Sequence, residues 1–376
     1  MSELSFMERL LDGVEVEWKA LGGVVKTVSA PAKLKKEAYR VTGKVPIIDQ
    51  GLKFIAGYSD ENIKVIASNE YIIFGDHSEH IKYVDFAFIQ GADGLKILRP
   101  ISDNAKYIYY ASQNFYQKEL GYKRHWSTAK ETIIPIPCPE KPEKSLGIQA
   151  EIVRILDAFT ELTTELTTEL NARKKQYNYY RDQLLSFEEG EVEWKMLGDI
   201  AKVNTGQKPS EILDSATAFD YINAGTTRSG YTTGSNCEGD TVTTPSRGQG
   251  GIGFVGYQKE PFWLGSLCYK LRSIDEAVLI NKYIFYFLQS KSELLLGLKK
   301  EGGVPAVNKS DLTKLEIPVP QLNKQRRIVA ILEKFDALAN SITEGLPREI
   351  ELRQKQNEYY RDLLLSFPKP EEPSQR

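Results

Sequence analysis

Glu15-Val-Glu-Trp18-Lys-Ala-Leu21-Gly22 returns as Glu191-Val-Glu-Trp194-Lys-Met-Leu197-Gly198, displaced by 176 residues. The same displacement carries Tyr107-Ile-Tyr-Tyr to Tyr283-Ile-Phe-Tyr. Ile134-Pro-Ile-Pro137 returns as Ile317-Pro-Val-Pro320, and Gln149 to Phe159 as Gln325 to Phe335. Tyr179-Tyr-Arg-Asp-Gln-Leu-Leu-Ser-Phe187 returns as Tyr359-Tyr-Arg-Asp-Leu-Leu-Leu-Ser-Phe367. Five anchors in one order mark an internal duplication. The stretches between them, roughly 23–133 and 199–316, barely match. A duplicated frame with two different inserts implies one architecture presenting two specificities.

Outward from the anchors, the first insert is strand-rich. Val45-Pro-Ile-Ile, Lys64-Val-Ile-Ala, Tyr71-Ile-Ile-Phe and Val84-Asp-Phe-Ala-Phe read as short β runs. Lys106-Tyr-Ile-Tyr-Tyr opens a helix, and Asn281-Lys-Tyr-Ile-Phe-Tyr-Phe-Leu is its counterpart in the second copy. Residues 1–12 read as a short helix. From Ile148 to Phe187, Ile152, Leu156, Phe159, Leu162, Leu166 and Leu170 recur at helical spacing, and no Pro or Gly interrupts 149–187. Unbroken, such a helix spans roughly 55 Å. In the distal copy, Glu344-Gly-Leu-Pro347 should split the helix in two. Two apolar-striped helical regions in one chain invite antiparallel packing. The expected fold is α+β: two α/β domains joined by two long antiparallel, coiled-coil-like helical regions, with a pseudo-twofold internal repeat. The boundaries fall at 1–147, 148–189, 190–321 and 322–367, with 368–376 as a disordered tail.

Composition narrows the function. A hydrophobic share of 41% and a charged share of 27% describe an ordinary globular chain. No apolar run approaches a membrane span, and the N-terminus lacks a secretory pattern. Cys138, Cys237 and Cys268 are too scattered for a zinc or disulfide framework, which fits a reducing cytoplasm. The net charge of −2 exerts no global pull on nucleic acid, so any such contact must come from local basic patches.

Three motifs suggest chemistry and are outweighed. Gly248-Gln-Gly250-Gly-Ile-Gly253 matches a dinucleotide fingerprint, but strand-like Phe254-Val-Gly-Tyr follows where a helix is required. Glu17-Trp-Lys19 and Glu193-Trp-Lys195 match half of a nuclease metal site, but no Pro precedes Pro31 to supply the first copy with the usual upstream Pro-Asp partner, and a structural repeat anchor is the better reading. Asp76-His77-Ser-Glu79-His80 holds metal-ligand types, but the second copy has no equivalent and a polar turn is the better reading. No Walker A sequence and no amino-methyltransferase tetrapeptide occurs.

The paired Tyr-Tyr-Arg-Asp helices, the Ile-Pro-x-Pro exits and the two variable inserts resemble the specificity subunit of type I restriction–modification enzymes. The wording is similar to the IC subfamily in Leu10-Leu-Asp-Gly-Val-Glu-Val-Glu-Trp18, Arg173-Lys-Lys-Gln-Tyr177-Asn-Tyr-Tyr-Arg-Asp and Glu344-Gly-Leu-Pro-Arg-Glu-Ile-Glu-Leu-Arg-Gln354. The resemblance covers essentially the whole chain. It implies a non-catalytic subunit whose variable units are target-recognition domains, each reading half of a split sequence in double-stranded DNA. The helices would set the spacing and dock two methyltransferase subunits carrying S-adenosylmethionine. Restriction–translocase subunits would use ATP and Mg²⁺. The chain itself would hold no cofactor and no metal. Two other readings compete: a protein-interaction scaffold without a DNA role, and a duplicated nuclease.

Readers of DNA need donors and acceptors at base edges and cations on phosphates. In the first unit the candidates are Lys33, Lys35, Lys36 and Arg40, then Lys123 and Arg124 in Tyr122-Lys-Arg-His-Trp126. In the second they are Gln207, Lys208, Arg228, Arg247, Gln249, Asn308 and Lys309. Arg suits guanine O6/N7, while Gln and Asn suit adenine N6/N7. Trp18, Trp194, Tyr179, Tyr180, Arg181, Tyr359, Tyr360 and Arg361 are frame or subunit-interface residues, because they repeat where readers of different half-sites should differ.

Overall fold

The computed structural model describes residues 10, 13, 15–91, 93–215, 219–248, 250–300, 303–340 and 345–368. The expected helix at 1–12, all but Leu10, and the tail beyond Pro368 lie outside them.

In chain order the first insert and its borders form β1 (Val16–Ala20), α1 (Leu21–Val24), β2 (Val25–Val28), β3 (Val45–Ile48), β4 (Gly57–Ser59), β5 (Tyr71–Gly75), β6 (Ile81–Val84), β7 (Ile89–Gln90), β8 (Leu95–Pro100), α2 (Ala105–Phe115), α3 (Trp126–Ala129) and β9 (Ile133–Pro137). Then comes α4 (Pro142–Leu184). The second copy forms β10 (Glu193–Met196), α5 (Leu197–Ile200), β11 (Ala201–Thr205), β12 (Phe219–Ile222), β13 (Tyr231–Thr232), β14 (Thr241–Pro245), β15 (Gly256–Gln258), β16 (Trp263–Leu264), β17 (Cys268–Ser273), α6 (Asn281–Ser290), α7 (Ser292–Gly297), α8 (Lys309–Leu312) and β18 (Glu316–Val319). Two helices, α9 (Leu322–Asn340) and α10 (Gly345–Leu364), finish the chain.

The inserts differ in sequence and agree in topology. A four-stranded sheet has the order β2-β8-β5-β6 in one and β11-β17-β14-β15 in the other. A three-stranded sheet runs β4-β3-β7 and β13-β12-β16, and its parallel pair is β3 with β7 in the first copy and β12 with β16 in the second. Two expected strands need correction. Lys64–Ala67 makes only a single bridge, Ile66 to Phe88, and the run from Val84 to Phe88 straddles the end of β6 and the approach to β7. The two runs meet each other only at that one bridge, with hydrogen bonds of 2.8 and 3.1 Å between Ile66 and Phe88, so neither extends into a full strand.

The repeated anchors make the same contacts twice. In β1–β9, Ile134, Pro135, Ile136 and Pro137 are all buried, and Pro135 and Pro137 pair with Trp18 and Val16 across the ladder. An edge strand of this kind tolerates Pro where no N–H is needed. The hydroxyl of Tyr107 donates to the carbonyl of Pro135 at 2.7 Å, and that of Tyr283 to Pro318 at 3.1 Å. Gln149 Oε1 accepts from the Asn104 N–H at 2.8 Å, and Gln325 Oε1 from the Ile280 N–H at 3.0 Å. Gly22 and Gly198 sit at the same close approach: a Cβ would lie 3.2 Å from the Lys130 or Thr313 carbonyl oxygen, a crowded contact.

The chain divides into two compact units, Met1–Glu165 with Ile350–Arg376, and Leu166–Glu349. The division falls inside α4. This helix starts at Pro142, earlier than the expected Ile148, because Pro suits a first helical position. It crosses Gly147, which has open space around it, and stops at Leu184. The distal region is split as expected between α9 and α10. Gly345 carries φ +75°, and Pro347 sits harmlessly in the first turn of α10. In the first unit Ile108, Ile134, Ile152 and Leu156 share a core with Leu364, Leu365 and Phe367. In the second, Ile284, Ile317, Ile328 and Leu332 share one with Tyr177 and Leu185. Each unit is therefore finished by the Tyr-Tyr-Arg-Asp segment that belongs, by repeat order, to the other copy.

Candidate nucleic-acid interface

In the first unit the two basic runs meet at Asp93. Lys33 Nζ lies 2.7 Å from its Oδ1. The hydrogen bond from Lys33, its charge and that of Arg124 hold the Asp93 carboxyl below the usual range. Around them stand groups that sequence reasoning missed. Gln50 Nε2 donates to the Asp93 carbonyl at 3.2 Å, and its Oε1 accepts from the His77 N–H at 3.1 Å. The His77 ring stacks on Tyr122 at 5.1 Å, and its Nδ1 lies 3.0 Å from the Lys123 carbonyl oxygen. The loop carrying Gln50 is fastened by the buried Lys82, whose Nζ donates to the carbonyls of Asp49 and Lys53. Burial lowers the Lys82 pKa, against the pull of Asp49. Lys123 pairs with Glu119 at 3.1 Å, whereas Arg124 is exposed and makes no ion pair with a described residue. Arg40 is engaged by Asp60 at 3.2 Å; Lys35 and Lys36 are exposed at a short 3₁₀ turn, Lys36–Ala38. No short-range sequence signal ties residues 33, 50, 77, 93 and 122–124 together; only the loop packing does.

In the second unit Arg247, Asn308 and Lys309 gather at one edge. The Val307 N–H donates to Ser246 O at 2.9 Å, Arg247 bridges Ala306, and Lys309 Nζ reaches Asn204 Oδ1 at 3.1 Å. Asn204 was not singled out from the sequence. Gln207 and Lys208 are exposed on the loop leaving β11, and the Gln207 carbonyl accepts from Trp263 Nε1 at 2.8 Å. Arg228 lies apart, against the other sheet: it pairs with Asp220 at 3.1 Å and covers the Tyr231 ring at 4.2 Å. Gln249 lies outside the described residues. Its loop does need glycine. Gly248, Gly250 and Gly253 have positive φ, a Cβ at Gly251 would meet Ala224 O at 2.1 Å, and strand β15 follows the loop, not a helix.

The frame residues pack as pairs. Phe159 stacks on Tyr360 at 4.9 Å, and Phe335 on Tyr180 at 5.7 Å. Tyr179 and Tyr359 stay exposed beside them. Arg361 Nε donates to Asn114 Oδ1 at 3.2 Å, while Arg181 covers Tyr177. Trp18 meets Phe115 edge-on and donates from Nε1 to Pro368 O at 2.8 Å; Trp194, 46% exposed, meets Phe287 edge-on. Glu17 and Glu193 are ion-paired to Lys19 and Lys195. Among the described residues no group of His, Cys, Asp or Glu is arranged to hold a metal, and no helix is long and apolar enough to cross a membrane.

Comparison with known proteins identifies the family of the duplicated frame. The family model for the type I restriction modification DNA specificity domain matches twice, at residues 13–175 and 189–352. The type I restriction enzyme EcoR124I/EcoR124II specificity subunit of Escherichia coli is 44% identical over 99% of both chains. A putative type I restriction enzyme specificity subunit of Haemophilus influenzae is 32% identical, covering 96% of this chain and 98% of its own. The crystal structure of the type I restriction-modification S subunit from M. genitalium shares the fold, with a TM-score of 0.65 at 19% identity over 96% of this chain and 98% of that one. With two matches spanning both copies of the duplicated frame, the chain belongs to the type I restriction-modification DNA specificity family.

Proposed function

We propose that this chain recognises a bipartite target in double-stranded DNA for a type I restriction–modification complex, each insert reading one half. The observation that carries this is the pairing of one strand topology with two unlike sets of exposed or half-buried polar residues. Arg124, Tyr122 and Gln50 stand on one, and Arg247, Asn308 and Gln207 on the other. Residues 1–147 and 190–321 are then the two target-recognition domains, and 148–189 with 322–367 the spacer and docking regions. Two methyltransferase subunits bring S-adenosylmethionine and perform adenine methylation. Restriction subunits bring ATP and Mg²⁺. This chain contributes binding and orientation, and it works in the cytoplasm with the host DNA.

Co-expression of the chain with its methyltransferase partners in a host free of adenine methylation tests the reading by methylome sequencing. The expected motif is two short specified halves around an unspecified gap. Exchanging residues 199–316 for the corresponding segment of a relative should change one half only. A change in both halves would overturn the assignment of one half per insert.

A further inference from the structure

The first unit contains a buried polar cluster around Glu79 and His125. Glu79, 4% exposed, accepts from the Tyr116 hydroxyl at 2.6 Å and from the N–H groups of Glu119 and Leu120 at 2.8 and 3.2 Å. His125, 0% exposed, places Nδ1 3.1 Å from Glu119 Oε2 and 3.4 Å from Glu79 Oε1, and Nε2 3.0 Å from Gly121 O. The charged groups around the imidazole are these two carboxylates, Lys123 on Glu119, and Asp76, whose carbonyl accepts the His125 N–H and whose carboxylate lies 3.9 Å from Lys96. Glu79 and Leu120 both hold left-handed backbones, at φ +56° and +52°, and Gly121 follows at +128°. Left-handed conformations at two non-glycine residues persist only where the surroundings over-determine them. The segment they hold ends in Tyr122, 91% exposed yet stacked on His77, and in the exposed Arg124, whose charge acts on Asp93.

We propose that Glu79 and His125 are positioning residues that lock the 116–125 segment, and that Tyr122 and Arg124 at its tip are the principal specificity determinants of the half-site read by the first unit. This rests on the DNA-recognition reading above. Both ring nitrogens of His125 face acceptors, so the doubly protonated ring satisfies the site and a neutral ring leaves one nitrogen lone pair opposed to an oxygen. The Gly121 carbonyl first, then Glu119 and Glu79, raise the His125 pKa against burial, which lowers it. Burial would lift the Glu79 carboxyl, but the Tyr116 and backbone hydrogen bonds and His125 carry it below its ordinary value. A raised histidine contributes its stabilisation fully below the ordinary imidazole value of about 6.5 and loses it as pH rises through the folded value. The lock therefore loosens on the alkaline side.

The test is methylome sequencing of hosts carrying the methyltransferase partners with the wild-type chain, Tyr122→Ala, Arg124→Ala, Arg124→Lys or Glu79→Gln. Tyr122 and Arg124 are exposed, so their variants test recognition without threatening the fold. Arg124→Ala should relax a position in one half by roughly 5- to 150-fold, and Arg124→Lys should not restore it, since a planar bidentate contact to a base is lost in both. Glu79→Gln should relax the same half. In binding assays on duplexes bearing the mapped motif, discrimination in that half should decline as pH rises above the ordinary imidazole value of about 6.5, and Glu79→Gln should flatten the decline. An unchanged motif for Arg124→Ala, full rescue by Lys, or a pH-independent wild type would overturn the inference. A wild-type chain that directs no bipartite methylation would instead overturn the functional reading beneath it.

Discussion

Gln149 and Gln325 carry more of the architecture than their chemistry suggests. Both are fully buried, and each turns its carbonyl toward a backbone N–H at the start of the tyrosine-bearing helix of its own unit. The amide nitrogens are used as well. Gln149 Nε2 donates to Asp103 and Ser145, and Gln325 Nε2 to the carbonyls of Val278 and Pro320. Removing such a side chain strands partners that are wholly or partly buried, at a cost of up to about 1–3 kcal/mol for each fully buried group left unsatisfied. Gln149→Ala should therefore destabilise the first unit and Gln325→Ala the second, by similar amounts. Hydrogen exchange resolved by peptide checks this: the loss of protection should stay within the unit that holds the variant. The sequence displayed both glutamines as repeat anchors but said nothing of their partners, because a hydrogen bond to backbone leaves no trace in the identity of the residue it reaches.

Among the elements, the repeated helix ends act through aromatic pairs. Phe159 and Tyr360 stack in the first unit, Phe335 and Tyr180 in the second. A double-mutant cycle on Phe159→Leu and Tyr360→Leu should give a coupling of about 0.5–1.5 kcal/mol, and a cycle on Phe159 with Tyr180 should give none. Urea unfolding of the four proteins measures it; equal coupling for both combinations would show that the stack is not what joins the helices. Helices were the most legible part of the chain, since their period spans many residues, and α2, α4, α6 and the break between α9 and α10 follow the apolar spacing and the Gly and Pro positions. The strands were less so. β14 occupies the place of β5 and is as completely buried, yet it is mostly threonine. Its hydroxyls find carbonyls nearby, Thr241 on Glu238 and Thr244 on Phe254, and so hide a core strand inside a polar stretch. The candidate interface was legible only as separate basic runs. Gln50, His77, Asp93 and Asn204 join them through loop contacts that no periodicity encodes.

Across the whole molecule, the exchange of helix ends makes the first unit depend on the end of α10 and the residues just after it, 364–368. Leu364, Leu365 and Phe367 are each no more than 5% exposed in its core, and Pro368 receives the Trp18 indole. A chain ending at Glu349 should lose exchange protection throughout residues 15–165 while 166–340 stays protected; uniform loss would refute the division. The second dependence runs through α4, which continues without interruption across the boundary between Glu165 and Leu166. Thr160-Glu-Leu-Thr-Thr-Glu-Leu-Thr-Thr-Glu-Leu170 surrounds that point with a strict four-residue period, and Leu162, Leu166 and Leu170 are all half-buried. Four residues advance a helix by about 6 Å and turn it about 40° beyond a full circle. One more Glu-Leu-Thr-Thr keeps the leucine stripe nearly in register while lengthening the helix. With DNA rising about 3.4 Å per base pair, that length corresponds to one or two base pairs. A helix inclined to the DNA axis projects only part of it, so a gain of about one is expected. The insertion mutant should thus keep both specified halves of its methylated motif and widen the gap between them. If the gap stays at its original length, the helix does not set the spacing, and the four-residue period is only a feature of its surface.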